Sequence, residues 1–498
     1  MHPSNHQFRV DDIRTDGAGW QDEGQAQPRP TSFENVHNRF ASNGRPHLSI
    51  QSPLLVIQDD KWKGHDEEKA DLLGLGQKRG CFLFACLPYV PRRYVLAILG
   101  FLGFINVYAL RAILSVAVVN MEKEFNYSGS EKGLLLASFF IGYIFPQVPA
   151  GWLASRLGAK WVLGGGMFIS GIFTLLLPIA AEIHLGLAVA TRIVVGLGEG
   201  VCFPSMHAML SKWAPPHERS RIGSLVYSGC YLGTVIAFPA STALADSALG
   251  WASIFYVFGG ATIAWVLLWL VVVSSSPADH PSISAEERKY IIDSLPPPSS
   301  LSFRDIPWMK VALCLPFWAL LINHTAGNWA FYTLLTWLPT YMKEVLDFDV
   351  HKAGFIAVLP YLALTVVVIV SGFVADLFIE RKWLSTTAVR KIWQALGFTI
   401  AGGGLVAVGF ANSVPLAVAL MTIAGGAVGF TNSGFQVNHL DIAPNYAGIL
   451  MGMTNCGIIL GDDQHDIERW RIVFFISAGV YSFGLVIWLL FASGKKQF

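Results

Sequence analysis

The sequence predicts an all-α membrane protein built as two six-helix bundles joined by a polar connector. Three observations point there. Hydrophobic residues make up 53% of the 498, and only 14% are charged, where a soluble domain carries roughly a quarter. Apolar runs of bilayer-spanning length recur through the chain after residue 92. One long polar interruption, containing PADHPSISAEERKYIIDSLPPPSS, splits those runs into two groups of six.

Residues 1–91 come first and differ in kind. They are rich in Asn, Gln, Asp, His, Pro and Gly and lack periodicity, so a disordered cytosolic tail is expected. No apolar core follows a basic start, so no cleavable signal peptide is expected and the first span directs insertion. Glu68 stands four places before Leu72 and Leu73, a pattern resembling an endolysosomal sorting signal read by adaptor proteins. Such short patterns also arise by chance. The six cysteines show no paired spacing and read as reduced packing residues, Cys81 and Cys86 being the two that acylation could reach.

The first bundle, 92–273, holds apolar runs near 94–121, 133–154, 161–181, 185–210, 222–245 and 251–273. The connector, 274–310, carries Ser284 and Glu287 at capping-box spacing, which predicts a short surface helix. The last region, 311–498, holds runs near 311–340, 353–376, 391–411, 414–435, 447–461 and 472–492. Basic residues cluster before span 1, after spans 2, 4 and 8, and in the connector, while the alternate loops are acidic or nearly neutral. The positive-inside rule therefore puts the amino terminus and connector in the cytosol. Asn126-Tyr-Ser128 is then a lumenal glycosylation sequon.

Span 11 does not fit. Ala447 to Gly461 would give roughly 22 Å of helix before the charged stretch DDQHDIERWR. Either the segment is re-entrant or part of a span is missing. A segment that failed to cross would leave Lys495 and Lys496 on the lumenal side, against the charge rule.

Charge within the spans is sparse, and for that reason informative. Arg111 is the only charge in YVLAILGFLGFINVYALRAILSVAVVNM. A cation there costs about 2.5–3.5 kcal/mol even on the lenient insertion scale, and anchoring does not need it. An anion inside the membrane would. Span 4 holds Arg192, Glu199 and His207, with Glu199 two turns after Arg192 on one face. A carboxylate between the cost of burial and a nearby cation can take up and release a proton; the alternative is a structural ion pair. His207 could relay protons or only bond a neighbouring loop. Tyr108, Ser115, Tyr143, Asn328, Tyr332 and Asn438 are hydroxyl and amide groups that could complete an anion site, with Ser433 and Asn455 further on. Each is individually weak, since a polar group in a span more often packs or lies at the interface. The glycine clusters GGGM and AGGG lie inside spans and form no phosphate loop, and Cys202 and His207 lack zinc partners. No enzyme activity, cofactor or metal is expected. The net charge of +1 carries no nucleic-acid signal, and no nucleic acid is expected as a partner.

Several stretches together resemble one family: YALRAILSVAVVNM, SFFIGYIFPQVPAGWLASRLGAK, GLGEGVCFPSMHAMLSKWAPPHERSR, NWAFYTLLTWLPTYMKEVL and NHLDIAPNYAGILMGMTN. They are similar to the anion/cation symporters of the major facilitator superfamily, which include lysosomal sialic acid exporters and vesicular glutamate and type I phosphate transporters. The resemblance runs from about residue 92 to the end. It implies that Arg111 holds a substrate carboxylate, that Glu199 couples protons, and that Arg156 and Lys160 belong to a gating loop after span 2. Asn438, His439 and Asp441 fall in its NHLDIAP segment. The chain also departs from the pattern. Val195 stands where the family has a first glutamate, Ser155 where the gating loop has an acid, and Ile141 where an aromatic is usual. Span 11 lacks its expected second half.

The expected function is therefore proton-coupled transport of small organic anions, acidic sugars such as sialic acid first, out of lysosomes. Vesicular uptake of glutamate or another anion driven by membrane potential is the nearest alternative, with sodium-coupled phosphate transport beside it. A non-transporting membrane scaffold or receptor is the alternative from another class. The lysosomal or vesicular membrane is the expected location, with the plasma membrane second.

Overall fold

The computed structural model describes residues 90–296, 306–344, 350–411, 413–455 and 467–497, all helices and turns with no strand among them. The tail with Leu72 and Leu73, the cysteines Cys81, Cys86 and Cys456, and the second part of span 11 lie outside the described residues.

Helix α1, Arg92–Phe125, is about 51 Å long. It stops at Asn126, whose φ of 55° turns the chain left-handed. Two residues later Ser128 and Glu131 form a reciprocal capping box that starts α2, Gly129–Ile144. Span 2 is not one rod. Pro146 separates α2 from α3, Gln147–Leu153, and a π-helical turn at Ala154–Gly158 follows. Spans 3 to 6 are α4, Ala159–Ile183; α5 and α6, Leu185–Gly200 and Cys202–Trp213; α7, Arg219–Ala245; and α8, Ala252–Val272.

The connector forms its short helix α9, Ala285–Ser294, and the Ser284 hydroxyl accepts the Glu287 amide at 3.1 Å. Glu287 also accepts hydrogen bonds from the amides of Arg92 and Arg93 and from the Arg93 guanidinium. The Arg93 side chain reaches Glu218 at the start of α7, and so does the Tyr290 hydroxyl. The connector helix is thus tied to the starts of spans 1 and 5. Burial and the Glu218 carboxylate push the Tyr290 hydroxyl above its ordinary pKa.

The remaining helices are α10, Trp308–Ala312; α11, Leu315–Glu344; α12, Val350–Glu380; α13, Thr386–Val408; and α14, Val414–Ala427. A π-helical turn, Asn432–Gln436, leads into α15, Val437–Ile442; then come α16, Ala447–Asn455, and α17, Ile467–Phe491. Nine helical stretches among the described residues are long and apolar enough to cross a membrane. The other expected spans are present as the broken α2–α3, as α11, and as the described start of span 11, α16. The end of α17 lies beside the ends of spans on the connector side: the Gln497 amide donates to Ile442 O, and Gly494 N to the Thr387 hydroxyl. Lys495 and Lys496 are therefore on the connector side, and the reversed last span does not occur.

In the first half α1 packs along α7, α5 lies against α2 and α4, and α8 lies against α4. Where α2 crosses α5, a Cβ on Gly142 or Gly196 would strike a backbone carbonyl of the other helix, so the close approach requires glycine. Indole N–H groups have no water to bond here and find carbonyls instead, Trp265 at Leu99 O and Trp269 at Lys160 O. In the second half α13 packs on α14 and α17, α12 on α14, and α11 on α17. The halves meet where α7 packs on α12 and where α16 packs on α3 and α6. At that seam Gly151 and Gly448 bring two backbones into direct contact.

Candidate functional site

The chemistry begins on α1, where Tyr108 and Arg111 are one turn apart. The Arg111 Nε donates to Glu199 Oε2 at 2.7 Å, and Glu199 is fully buried. The Arg111 guanidinium also lies 4.8 Å from the Tyr108 ring, 4.6 Å from Tyr143 and 5.2 Å from Phe139. Aromatic faces stabilise a cation that has left water. Arg192 rests on the other ring shared here, 5.2 Å from Phe139, and its Nη1 donates to Leu110 O at 3.4 Å. Arg111, not Arg192, is therefore the partner of Glu199. Val195 is fully buried against Phe139 and Tyr143, so the position that carries a glutamate in the resembling family is apolar here and adds no charge.

Beside this cluster is a small cavity of about 60 Å³, well short of the roughly 300–1,000 Å³ of an open small-molecule site, so the halves are drawn together around it. The first half contributes Tyr108, Tyr143, Phe203, Tyr227, Cys230 and Tyr231. The second contributes His324, Asn328, Phe331, Asn432, Gln436 and Asn455, among others. Arg111 is not among the lining residues; it contacts the rings of two that are. The Asn455 amide donates to Tyr143 Oη at 2.7 Å and Gln147 Oε1 at 3.1 Å, and Asn432 donates to Tyr231 Oη at 3.1 Å. Asn328 Nδ2 is buried with no hydrogen-bond partner among the described residues, a donor left over for a ligand.

Of the residues singled out from sequence, Arg111, Tyr108, Tyr143, Asn328 and Glu199 come together at this cavity. Ser115 does not: it is exposed, and its hydroxyl donates to Ala112 O within its own helix. Asn438 lies at the connector side and donates to Ser493 O. Tyr332 belongs to α11, but its side chain lies outside the described residues. Ser433 sits at the seam between Ser224 and Ser371. Ile141 is 47% exposed and absent from the lining, so its replacement of an aromatic does not reshape the cavity. Cys230 lines the cavity rather than only packing.

His207 does not bond a loop. Its Nε2 is 3.2 Å from Gln436 O across the seam, its Nδ1 is 2.6 Å from the Tyr227 hydroxyl, and its ring stacks on Tyr227. Arg156 is exposed beside Trp152, and Lys160 lies over Trp161. The charged contacts across the seam come from other residues. Asp441 accepts from Arg219 at 3.3 Å and from Arg390 at 2.7 Å, and Arg390 also donates to Ser220 Oγ at 2.8 Å. Asp376 accepts the amides of Ser220 and Arg221 at the start of α7. The sequence carried a signal for Asp376: Gly372-Phe-Val-Ala-Asp376 after span 8 repeats Gly151-Trp-Leu-Ala-Ser155 after span 2.

Comparison with known proteins gives four findings. The profile of the Major Facilitator Superfamily matches residues 99–462. The chain is 42% identical to sialin from Homo sapiens over 464 residues, covering 82% of the chain and 93% of sialin. It is 39% identical to vesicular glutamate transporter 2 from Homo sapiens over 439 residues, covering 82% of the chain and 75% of that protein. Among solved structures, the proton:xylose symporter XylE bound to 6-bromo-6-deoxy-D-glucose superposes with a TM-score of 0.63 at 15% identity, covering 81% of this chain and 97% of that one. That last likeness is one of fold.

Proposed function

From the premise that the chain belongs to the major facilitator superfamily, and within it to the sialin-like anion/cation symporters, we propose that it couples protons to the export of acidic sugars such as sialic acid from lysosomes. It is a multi-pass membrane transporter of organic anions, not an enzyme. The observation that carries the finer reading is the buried Arg111–Glu199 pair at 2.7 Å beside a cavity rich in hydroxyl and amide groups.

The pair supports a simple exchange. With Glu199 ionised, its carboxylate occupies Arg111. A proton arriving from the acidic lumen cancels that charge and frees the guanidinium for the carboxylate of a substrate. Tyr108, Tyr143 and Asn328 then meet the rest of the molecule. Opening of the connector side lets the proton and the anion leave together, and the re-formed ion pair resets the site. The distances across the connector-side seam fit a carrier whose cavity is closed toward the cytosol.

One observation favours the second reading, uptake driven by membrane potential. Arg111 and Arg192 are two cations, and among the described residues beside them Glu199 is the one acid. A site with that balance binds a monoanion without needing a proton. Purified protein in liposomes separates the readings. Sialic acid flux under a pH gradient with the potential clamped supports export with protons. Flux of sialic acid or glutamate under potential alone supports the second reading, and no flux of any anion from correctly inserted protein overturns both.

A further inference from the structure

His324, at the floor of the cavity, belongs to a cluster of three buried histidines that the ion-pair exchange does not use. They come from three spans and both halves: His207 on α6, His324 on α11 and His439 on α15. The His207 and His439 rings are 5.2 Å apart, and those of His324 and His439 are 5.9 Å apart. Thr454 stands between the second pair. Its hydroxyl is 2.9 Å from His324 Nδ1 and 2.8 Å from His439 Nε2.

With neutral rings, the proton positions in this cluster are forced. His439 Nδ1 lies 2.9 Å from Gln436 O. A carbonyl only accepts, so that nitrogen carries the hydrogen, and His439 Nε2 must be an acceptor. The Thr454 hydroxyl has one hydrogen. It goes to His439 Nε2 at 2.8 Å rather than to Met451 O at 3.3 Å. The Thr454 oxygen is left with lone pairs only, so His324 Nδ1 must donate to it. His324, which lines the cavity, is thereby fixed as the Nδ1–H tautomer, with no hydrogen on its Nε2. The Gln436 carbonyl belongs to the π-helical turn, where the helical ladder is displaced. It also faces His207 Nε2 at 3.2 Å, so the same carbonyl orders both halves of the cluster.

We infer that Thr454, through the tautomer it imposes on His324, makes this carrier select carboxylates that bear a hydroxyl or amide hydrogen at the end facing the cavity floor. Thr454 is fully buried and does not line the cavity, so it acts as a positioning residue. A lone pair at the floor accepts such a hydrogen and repels a second carboxylate or a phosphate. Acidic sugars satisfy the requirement; succinate with both carboxyls ionised, as it is near neutral pH, does not. The inference rests on the reading that a carboxylate is held at the Arg111 end, and it narrows that reading from organic anions to donor-bearing monoanions.

The test uses the full chain in liposomes, with uptake of labelled sialic acid and of labelled succinate measured per amount of folded protein. Thr454→Val keeps the shape but removes the acceptor. His324 can then take the Nε2–H tautomer, and the preference for sialic acid over succinate should fall roughly tenfold through a raised KM for sialic acid with the maximal rate kept. Thr454→Ser restores the hydroxyl and should restore the preference. His324→Phe keeps a ring against Phe435, 5.1 Å away in the native contact, and should lose the preference as Thr454→Val does. Sialic acid uptake with an unchanged preference in both Thr454→Val and His324→Phe overturns the inference and leaves the carrier reading standing. A wild-type protein that carries succinate in preference to sialic acid overturns both.

Discussion

At the scale of single residues, Arg111 and Glu199 were legible because a charge stands out in an apolar run, and the structure pairs them at 2.7 Å. What the run could not say is which cation Glu199 meets, since Arg192 shares its face two turns away. Three-dimensional packing decides that: the guanidinium of Arg192 turns to Phe139 and Leu110 O. The expected consequence is specific. Arg111→Lys keeps a cation but loses the planar fork that holds a carboxylate, and transport should fall at least about tenfold with the protein still in the membrane. Intact uptake in this variant would count against the clamp. Glu199→Gln should abolish the acceleration of transport by an acidic lumen while substrate exchange across the membrane persists; a retained pH response would place the proton elsewhere. His324 escaped notice in sequence because a lone histidine in an apolar segment is usually a satisfied core residue, and only the Thr454 contact shows otherwise.

At the scale of elements, hydropathy located the spans but not their interruptions. The break at Pro146 falls inside an apolar run, where composition does not change, and the two π-helical turns fall at run ends, where polar residues read equally well as a loop. Capping chemistry is legible in spacing: Ser284 starts α9 as its distance from Glu287 implies. The box at Ser128 and Glu131 has the same spacing, but it falls beside a glycosylation sequon, where a serine has a second reading. There the amide and hydroxyl of Ser128 hold the Glu131 carboxyl below its ordinary pKa. A carboxylate shifted down contributes its cap above the unfolded value and loses it as pH falls through the lowered one. The cap therefore survives in a lumen near about pH 5, above the ordinary glutamate value. Hydrogen exchange of the Ser128 amide checks this: protection should persist at that acidity and fade only toward stronger acid. Fading already above it would contradict the shift.

At the scale of the whole molecule, two groups of six spans and a polar connector followed from the distribution of apolar runs. The seam between the halves did not, because its partners lie far apart in sequence. Asp441 meets Arg219 and Arg390, residues separated from it by 222 and 51 positions. All three side chains are buried. Asp441→Asn would leave two buried guanidinium groups short of an anion, which typically costs about 3–5 kcal/mol. Purified Asp441→Asn protein should accordingly unfold at a clearly lower temperature than wild type in detergent. Equal thermal stability would show that water or another group already compensates these cations.

The meeting of Gly151 with Gly448 has a mechanical consequence. Where bare backbones touch, no side chain is interlocked, so the halves can roll on one another without any rotamer having to withdraw from a slot. The crossing behaves as a bearing, and resistance to motion is concentrated in the polar contacts around it. A single methyl group added at either glycine would turn that bearing into a wedge, biasing the protein toward the geometry in which the connector side stands apart.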